Sequence, residues 1–159
     1  MVAEPEWVLL AYRLPREPST PRISVWRKLR RLGAVQIVDG LVVLPATART
    51  QEQFDWLADE VIEAGGEAWT WTGVPGSKEQ QRQLAARMSE AAAEEYAEVR
   101  GETDDLLAGG GPPTRRTVER LQRELRRIES RDHYPPKERE RARRAVDRLV
   151  AMLDEETVP

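Results

Sequence analysis

Cysteine is absent from this chain of 159 residues, and histidine occurs once. The absence of cysteine excludes disulfides, thiolate zinc sites and cysteine nucleophiles together. No apolar run approaches the roughly 18 residues that a membrane span requires. The first residues, MVAEPEW, lack the basic and apolar regions of a signal peptide. We therefore predict a soluble cytoplasmic protein without a membrane partner.

Catalytic patterns are scarce as well. His133 stands alone in the stretch DHYPP, and neither a pair of closely spaced histidines nor a GxSxG motif occurs. The first predicted strand ends in Ala11-Tyr12-Arg13, without an aspartate to hold a metal. The glycine-rich stretch 109–113 lacks the preceding strand and the lysine of a phosphate-binding loop. The sequence predicts a protein that is not an enzyme, with no catalytic residue, cofactor or metal site.

Charge is unevenly distributed along the chain, although the net charge is only −3. Residues 1–50 carry a net charge of +4 and residues 112–159 a net charge of +3. Residues 51–75 contain six acidic and no basic side chains, and residues 76–111 have a net charge of −4. Such alternation can guide docking between protein surfaces as readily as contact with a nucleic acid.

The first 75 residues predict alternating strands and helices. Glu6–Leu14 is typical of a strand, and Glu67–Thr72 alternates as a half-buried strand does. Asp39-Gly40 separates the short apolar runs Val35–Val38 and Leu41–Leu44 and is a strong hairpin signal. With one helix before this hairpin and one after it, the order is βαββαβ. This order predicts a ferredoxin-like α+β domain over residues 1–75.

Both helices of this domain have recognisable ends. Thr20 is the predicted N-cap of the first, followed by Pro21, and Gly33 is predicted to end it. Thr50 and Gln53 predict a capping box at the start of the second, which stops at Gly65-Gly66. The predicted buried stripes are Val25, Trp26, Leu29 and Leu32 on the first helix, and Phe54, Leu57, Ala58, Val61 and Ile62 on the second.

Residues 76–159 read as an α-helical C-terminal extension. Ser77 and Gln80 predict a second capping box, at the start of a helix that runs to about residue 100. Asp104-Asp105 is interpreted as loop, and 109–113 as a flexible break. A helical hairpin is predicted over about 114–155, turned by Pro135-Pro136, with Pro136 starting its second helix. The predicted apolar stripes of the extension are Leu84, Met88, Ala92, Tyr96 and Val99, then Val118, Leu121, Leu125 and Ile128, then Ala142, Ala145, Val146, Leu149 and Leu153.

Basic residues concentrate on and before the first helix. Arg27, Lys28, Arg30 and Arg31 fill much of its polar side, and Arg13, Arg16 and Arg22 lie close by in the sequence. Two interpretations remain open. The favoured one is a solvated surface helix, and the other is a surface that contacts a polyanion.

Four aromatic residues leave a second question open. Tyr12, Trp26, Trp69 and Trp71 have the residue types of a platform on which nucleic-acid bases stack. Trp69 and Trp71 share a strand face, whereas Trp26 belongs to the apolar stripe of a helix. Packing of these side chains in the core is the favoured interpretation.

The stretch WVLLAYRLPREPSTPRISVWRKLRRLGAVQIVDGLVVLPATART, followed by WLADEVIEAGGEAW, resembles the N-terminal domain of the chromate-resistance protein family ChrB. ERLQRELRRIESRDHYPP is similar to the helical region of that domain. The segment LRRLGAVQIVDGLVVLP is more distantly similar to the ferredoxin-like domain of PaaX-type repressors, which agrees with the predicted order of elements.

The resemblance implies a bacterial cytoplasmic regulator of transcription, responsive to chromate and acting on efflux genes. It makes the arginines of YRLPREPSTPR the favoured contacts to duplex DNA, namely Arg13, Arg16 and Arg22, followed by Arg27, Lys28, Arg30 and Arg31. Full-length members have a further C-terminal domain regarded as the sensor. Because this chain stops at residue 159, we expect it either to act beside a separately encoded chromate-sensing domain protein or to have no sensing role.

Three hypotheses of different classes follow. The first is a DNA-binding regulator that forms a homodimer, since ferredoxin-like sheets often pair by their edges. The second is a protein–protein assembly module without DNA binding, docked through its segregated charge. The third is a divergent CRISPR-associated nuclease of ferredoxin-like fold, which the missing aspartate at the end of the first strand disfavours.

Overall fold

The structure is a computed structural model and describes residues 6–109 and 111–157. The described elements are β1 (Trp7–Arg13), α1 (Thr20–Leu32), β2 (Val35–Val38), β3 (Leu41–Pro45), α2 (Ala48–Glu63), β4 (Glu67–Gly73), α3 (Lys78–Ala108), α4 (Arg115–Ser130) and α5 (Glu138–Thr157). Their contacts define two compact units, the first ending at Ala85 and the second beginning at Ala86, whereas the composition of the chain changes near residue 75. No helix within the described ranges is both long and apolar enough to cross a bilayer.

The first unit contains a four-stranded antiparallel sheet in the order β2-β3-β1-β4. Strand side chains alternate between the two sheet faces, and Val8 and Leu10 of β1 are buried together with Val25 of α1 and Phe54 of α2. The two helices therefore cover one face, and the βαββαβ prediction of a ferredoxin-like domain is confirmed.

The predicted helix caps need two corrections. The N-cap of α1 is Ser19 rather than Thr20, and no side chain bonds there. The N-cap of α2 is Thr47, whose hydroxyl accepts from the backbone N–H of Thr50 while the Thr50 hydroxyl accepts in return. Thr50 is thus the N3 residue of the capping box and not its N-cap. Gly33 does end α1 in the left-handed conformation, with φ of 75°.

Several apolar side chains predicted to be buried are exposed. Trp26 is 50% exposed, Ile62 55%, Trp69 66% and Trp71 64%. Core packing of Trp69 and Trp71 is therefore wrong, and β4 is mostly solvent-exposed rather than half-buried. The buried tryptophan is Trp7, whose indole N–H donates to the Gln81 side chain at 2.6 Å.

Helix α3 continues to Ala108, so the predicted end near residue 100 is too early. Asp104 lies inside the helix and pairs with Arg100 one turn earlier, at 3.6 Å, and Asp105 is also helical rather than in a loop. Gly101 does not stop the helix, since a single glycine costs only about 1 kcal/mol against alanine. The break follows at Gly109 and ends at Thr114, the N-cap of α4, and Gly110 lies outside the described residues.

The second unit packs around Tyr96, whose side chain is fully buried. The predicted stripes of α4 and α5 are confirmed, with Leu153 partly buried against the same cluster. Helix α5 begins at Glu138, two residues after Pro136. In the turn between the two helices, the Asp132 carboxylate accepts a hydrogen bond from the Tyr96 hydroxyl at 2.8 Å.

Candidate nucleic-acid interface

An open groove of about 870 Å³ lies where the end of β1, the following loop and the start of α1 meet the β2–β3 turn. Its lining combines three arginines, two aromatic rings and one carboxylate with smaller side chains. The lining residues are Tyr12, Arg13, Leu14, Arg16, Ser19, Arg22, Ile23, Trp26, Gln36, Asp39 and Gly40.

The β2–β3 turn is held against β1 by a backbone contact. Gly40 has φ of +78°, a conformation that residues with a side chain rarely adopt. In this conformation its carbonyl accepts from the backbone N–H of Tyr12 at 2.8 Å. The Gln36 side chain donates to Asp39 at 3.0 Å, across the same turn. These two bonds fix one wall of the groove relative to the end of β1.

The groove brings together three of the predicted site residues, Arg13, Arg16 and Arg22. Arg13 pairs with Glu67 at 3.5 Å, but both side chains are more than two-thirds exposed, and such pairs contribute little. Within the described part of the chain, Arg16 and Arg22 have no acidic partner within salt-bridge distance. All three guanidinium groups are therefore available to an external anion.

Aromatic rings complete the groove. The Arg30 guanidinium carbon lies 4.8 Å from the centroid of the Trp26 ring, in cation–π geometry, so a fourth cation is held beside the groove. Burial raises the pKa of the Tyr12 phenol, the nearby Arg22 charge opposes this, and Asp39 adds to it. Tyr12 is consequently a neutral hydroxyl at physiological pH, able to donate to a phosphate oxygen.

Three further candidates lie on the adjoining side of α1. Arg27, Lys28 and Arg31 line a smaller depression of about 260 Å³ with Thr20, Ile23 and Ser24. Helical periodicity explains the separation, because residues 22, 26 and 30 repeat every four positions along one side. Six of the seven predicted site residues thus fall into a groove set, Arg13, Arg16 and Arg22, and an outer set, Arg27, Lys28 and Arg31, while Arg30 lies beside the groove on Trp26.

Lys28 of the outer set is already engaged with α2. Its ammonium donates to the Glu60 carboxylate at 2.8 Å, and the Ser24 hydroxyl donates to the same group at 2.9 Å. Burial acts to raise the pKa of Glu60, but these hydrogen bonds and the Lys28 charge outweigh it and hold the pKa below its usual value. Lys28 therefore acts as a bridge between α1 and α2.

Sequence reasoning missed the walls contributed by Gln36 and Asp39, and it placed Trp26 in the core. The wall residues come from a hairpin that is distant in sequence, and no local pattern predicts its approach to β1.

His133 is half-buried in the turn before α5. Across residues 6–109 and 111–157, no three His, Asp or Glu side chains cluster in a way that would hold a metal ion.

The fold and this groove define a ferredoxin-like α+β domain with an open groove lined by arginines and aromatic rings. Residues 22–108, more than half of the chain, match the family model described as Protein ChrB, N-terminal. The chain belongs to this ChrB N-terminal family. The match includes Arg22 and the outer set, whereas Arg13 and Arg16 precede it.

A curated relative supports the same assignment. Protein ChrB of Cupriavidus metallidurans is 30% identical over 95 residues, which are 60% of this chain and 29% of that protein. The chain thus spans less than a third of the relative's length. No solved structure matches the chain significantly.

Proposed function

We propose that this chain is a non-enzymatic regulatory module that binds duplex DNA through the groove between β1, α1 and the β2–β3 turn, and that it controls genes of chromate resistance. The observation that carries the proposal is the convergence of Arg13, Arg16 and Arg22 on one open groove that also presents Tyr12 and Trp26. The family membership supplies the link to chromate, through the resemblance to ChrB.

The chemistry of the groove suits a phosphate backbone. Guanidinium groups bind phosphate oxygens with two parallel hydrogen bonds, and they also read the major-groove edge of guanine. The distribution of charge favours the same side of the molecule, because residues 1–50 are net basic while residues 51–75 carry only acidic charges. An approaching polyanion is attracted to the groove and repelled by α2.

The test compares two double variants with the same change in charge. Arg16→Gln/Arg22→Gln removes two groove cations, and Arg27→Gln/Arg31→Gln removes two outer cations from the same part of the chain. Binding to duplex DNA from upstream of the gene, and to scrambled duplex, is measured by fluorescence anisotropy across a salt series. The groove variant should lose at least tenfold in affinity, and its salt slope should fall by about two, at roughly 0.9 per lost phosphate contact.

The outer variant should keep the wild-type affinity, and its salt slope should stay within about 0.5 of the wild-type slope. Equal losses in the two variants would indicate a diffuse electrostatic attraction without a defined groove. Weak binding that is the same for both duplexes and vanishes with salt would reject DNA recognition altogether.

A second candidate function is an assembly module, favoured by one observation on the outer set. Trp56 of α2 is 63% exposed and shares a depression of about 370 Å³ with Lys28, Arg31 and Leu32. An exposed tryptophan beside cations is a common centre of protein interfaces. We propose the chromate-sensing part of ChrB as its partner, in line with a separately encoded sensor.

Calorimetric titration tests the assembly module, with the part of the C. metallidurans protein outside the matched region as ligand. Trp56→Gln should weaken binding by at least tenfold, as for a central interface residue, while Trp26→Gln, at similar exposure, leaves it unchanged. Binding that neither substitution affects would exclude this surface.

A further inference from the structure

The two edges of the sheet are not equally protected against pairing with another strand. Strand β2 has only four residues, and its pairing with β3 shifts register between Gln36 and Val38. Short length and such irregularities are the usual devices that block edge-to-edge association. Strand β4 has seven residues, and each of them pairs with β1 in unbroken register. Within the described residues, β4 has no strand on its other side.

The composition of β4 adds no protection. Its sequence, EAWTWTG, contains no lysine, arginine or proline, and its single charged residue, Glu67, lies at one end and pairs with Arg13. Trp69 and Trp71, by contrast, are about two-thirds exposed. A long, regular edge strand that carries exposed tryptophans is an association site unless something covers it.

The tryptophans lie on the sheet face opposite α1 and α2. Trp69 pairs with Ala11 and Trp71 with Leu9, whereas the alternate β1 residues Val8 and Leu10 are buried beneath the helices. Partners in an antiparallel pair project from the same face. Trp69, Trp71 and the partly buried Leu9 therefore lie on this face next to the free edge, whereas Trp7 on the same face is buried and donates to Gln81 at the start of α3.

An exposed apolar side chain also flanks the edge on the helix face. Helix α2 packs on β1 and β4, and its Glu60 faces α1 through Lys28. Ile62 follows two residues later, a rotation of about 200°, and so lies on the flank of α2 away from α1. It is 55% exposed. Both sides of the β4 edge thus present apolar surface that a second sheet would cover.

A nucleic acid is a poor occupant of this edge. Base-stacking surfaces need neighbouring cations to hold the backbone, but residues 51–75, which include most of α2 and all of β4, contain six acidic and no basic side chains. Arg13, which lies opposite β4 on β1, is at the end of the strand and pairs with Glu67. The middle of β4 is uncharged, so two copies can meet there without opposing like charges.

We propose that two copies of the chain form a two-fold dimer by antiparallel pairing of their β4 edges, which gives one continuous eight-stranded sheet. Thr70 lies at the two-fold axis, opposite Thr70 of the partner subunit. Trp69 then faces Trp71 of the partner subunit, and the four indoles form one cluster on the sheet face opposite α1 and α2. Glu67 lies opposite Gly73 of the partner subunit, so the two acidic groups remain at opposite ends of the pairing.

The exposed indoles supply about half of the area that a stable interface needs. A tryptophan buries up to about 250 Å², so four indoles that are two-thirds exposed offer about 650 Å². A stable interface buries at least about 1,200 Å² in total. The indoles supply roughly half of this minimum, and Ile62, Leu9 and the strand edges are the sources of the remainder.

Sedimentation velocity of the full chain tests the proposal across a micromolar concentration series. Wild-type protein should sediment at twice the chain mass of 18.1 kDa. Trp69→Thr/Trp71→Thr should raise the dissociation constant by at least about 100-fold, as expected for central interface tryptophans. Thr70→Lys keeps both indoles but places two ammonium groups at the axis, and it should have a comparable effect. Trp56→Thr, an equally exposed tryptophan elsewhere, should leave the dimer unchanged.

Circular dichroism and thermal unfolding establish that each variant is folded, and Thr70→Lys, as a single exposed substitution, keeps the test valid if the double variant unfolds. A monomeric wild-type protein overturns the proposal, as does a dimer that survives both edge variants. Quenching of Trp69 and Trp71 fluorescence by single-stranded oligonucleotides, in a wild-type protein that stays monomeric, would instead assign these tryptophans to nucleic-acid stacking.

Discussion

Trp26 and Arg30 form a stacked pair one helical turn apart, with the guanidinium carbon 4.8 Å from the ring centroid. Because Trp26 is half exposed, we expect it to contribute more to the proposed groove, where it holds Arg30, than to the core. Trp26→Ala should therefore cost less than about 1 kcal/mol of unfolding free energy. Its affinity for upstream duplex DNA should fall at least about fivefold through loss of the ordered guanidinium.

Urea unfolding and anisotropy on the same preparations separate the two effects of Trp26→Ala. Trp56→Ala is the matched control, since Trp56 is similarly exposed but lies outside the groove. A variant that loses stability and DNA affinity in parallel would mean that Trp26 acts through the fold instead of through the groove.

Gly40→Ala should damage the wall of the groove. A Cβ at this position would lie 2.5 Å from the Tyr12 carbonyl oxygen, and the φ of +78° adds strain of its own. The expected loss is about 2–3 kcal/mol of unfolding free energy, measured by urea denaturation. Gly101→Ala is the contrasting control. An added Cβ there meets open space within helix α3, so this substitution should stabilise the protein by up to about 1 kcal/mol.

Tyr96→Phe should change how stability depends on alkaline pH. Burial raises the pKa of Tyr96, and the hydrogen bond to Asp132 and its charge raise it further. The folded protein therefore keeps the phenolic proton above pH ~10, where an unfolded chain releases it. The contribution of Tyr96 to the free energy of unfolding is fully present below pH ~10, and above it this contribution declines by up to about 1.4 kcal/mol per pH unit.

Urea unfolding at neutral pH and above pH ~10 tests whether the free energy of unfolding falls as the pH rises. At neutral pH, Tyr96→Phe should cost about 1–3 kcal/mol, because the buried Asp132 carboxylate loses its donor. Above pH ~10 the difference between wild type and variant should shrink. Tyr134→Phe serves as the control and should retain the wild-type decline. A difference that is constant with pH would contradict a raised pKa.

Local patterns were sufficient to predict the order of elements in the first unit. The Asp39-Gly40 turn, the terminal glycines of α1 and α2 and the apolar spacing each depend on neighbouring residues only. The wrong predictions concern which flank of a helix is buried and where a helix begins or ends. Trp26 and Ile62 each lie one residue beyond a buried position, Val25 and Val61, so a rotation of 100° decides between core and solvent. Only the packed structure fixes that rotation.

The groove was predictable only in part, for a similar reason. Its arginines were identified as candidates from composition and family resemblance, but their division into a groove set and an outer set depends on which side of α1 faces the sheet. The approach of Gln36 and Asp39 depends on β3 pairing with β1, a contact between segments about thirty residues apart in sequence. Local periodicity does not predict strand pairing of this kind.

The DNA site should contain two half-sites if the groove binds DNA and the chain dimerises through β4. A two-fold dimer presents two identical grooves, and symmetric proteins bind inverted repeats whose spacing matches their own symmetry. Wild-type protein should therefore bind a full site at least about tenfold more tightly than a single half-site, because the second groove engages at high effective concentration. Electrophoretic mobility shifts on both duplexes measure the ratio.

Thr70→Lys separates the contribution of the dimer from that of the groove. The substitution lies outside the groove lining, so affinity for the half-site should stay within about twofold of wild type, while the advantage of the full site disappears. Arg16→Gln/Arg22→Gln should produce the opposite pattern, weakening both duplexes and preserving their ratio. If Thr70→Lys leaves the ratio intact, the two grooves are not joined through β4, and a single chain is then the unit that recognises DNA.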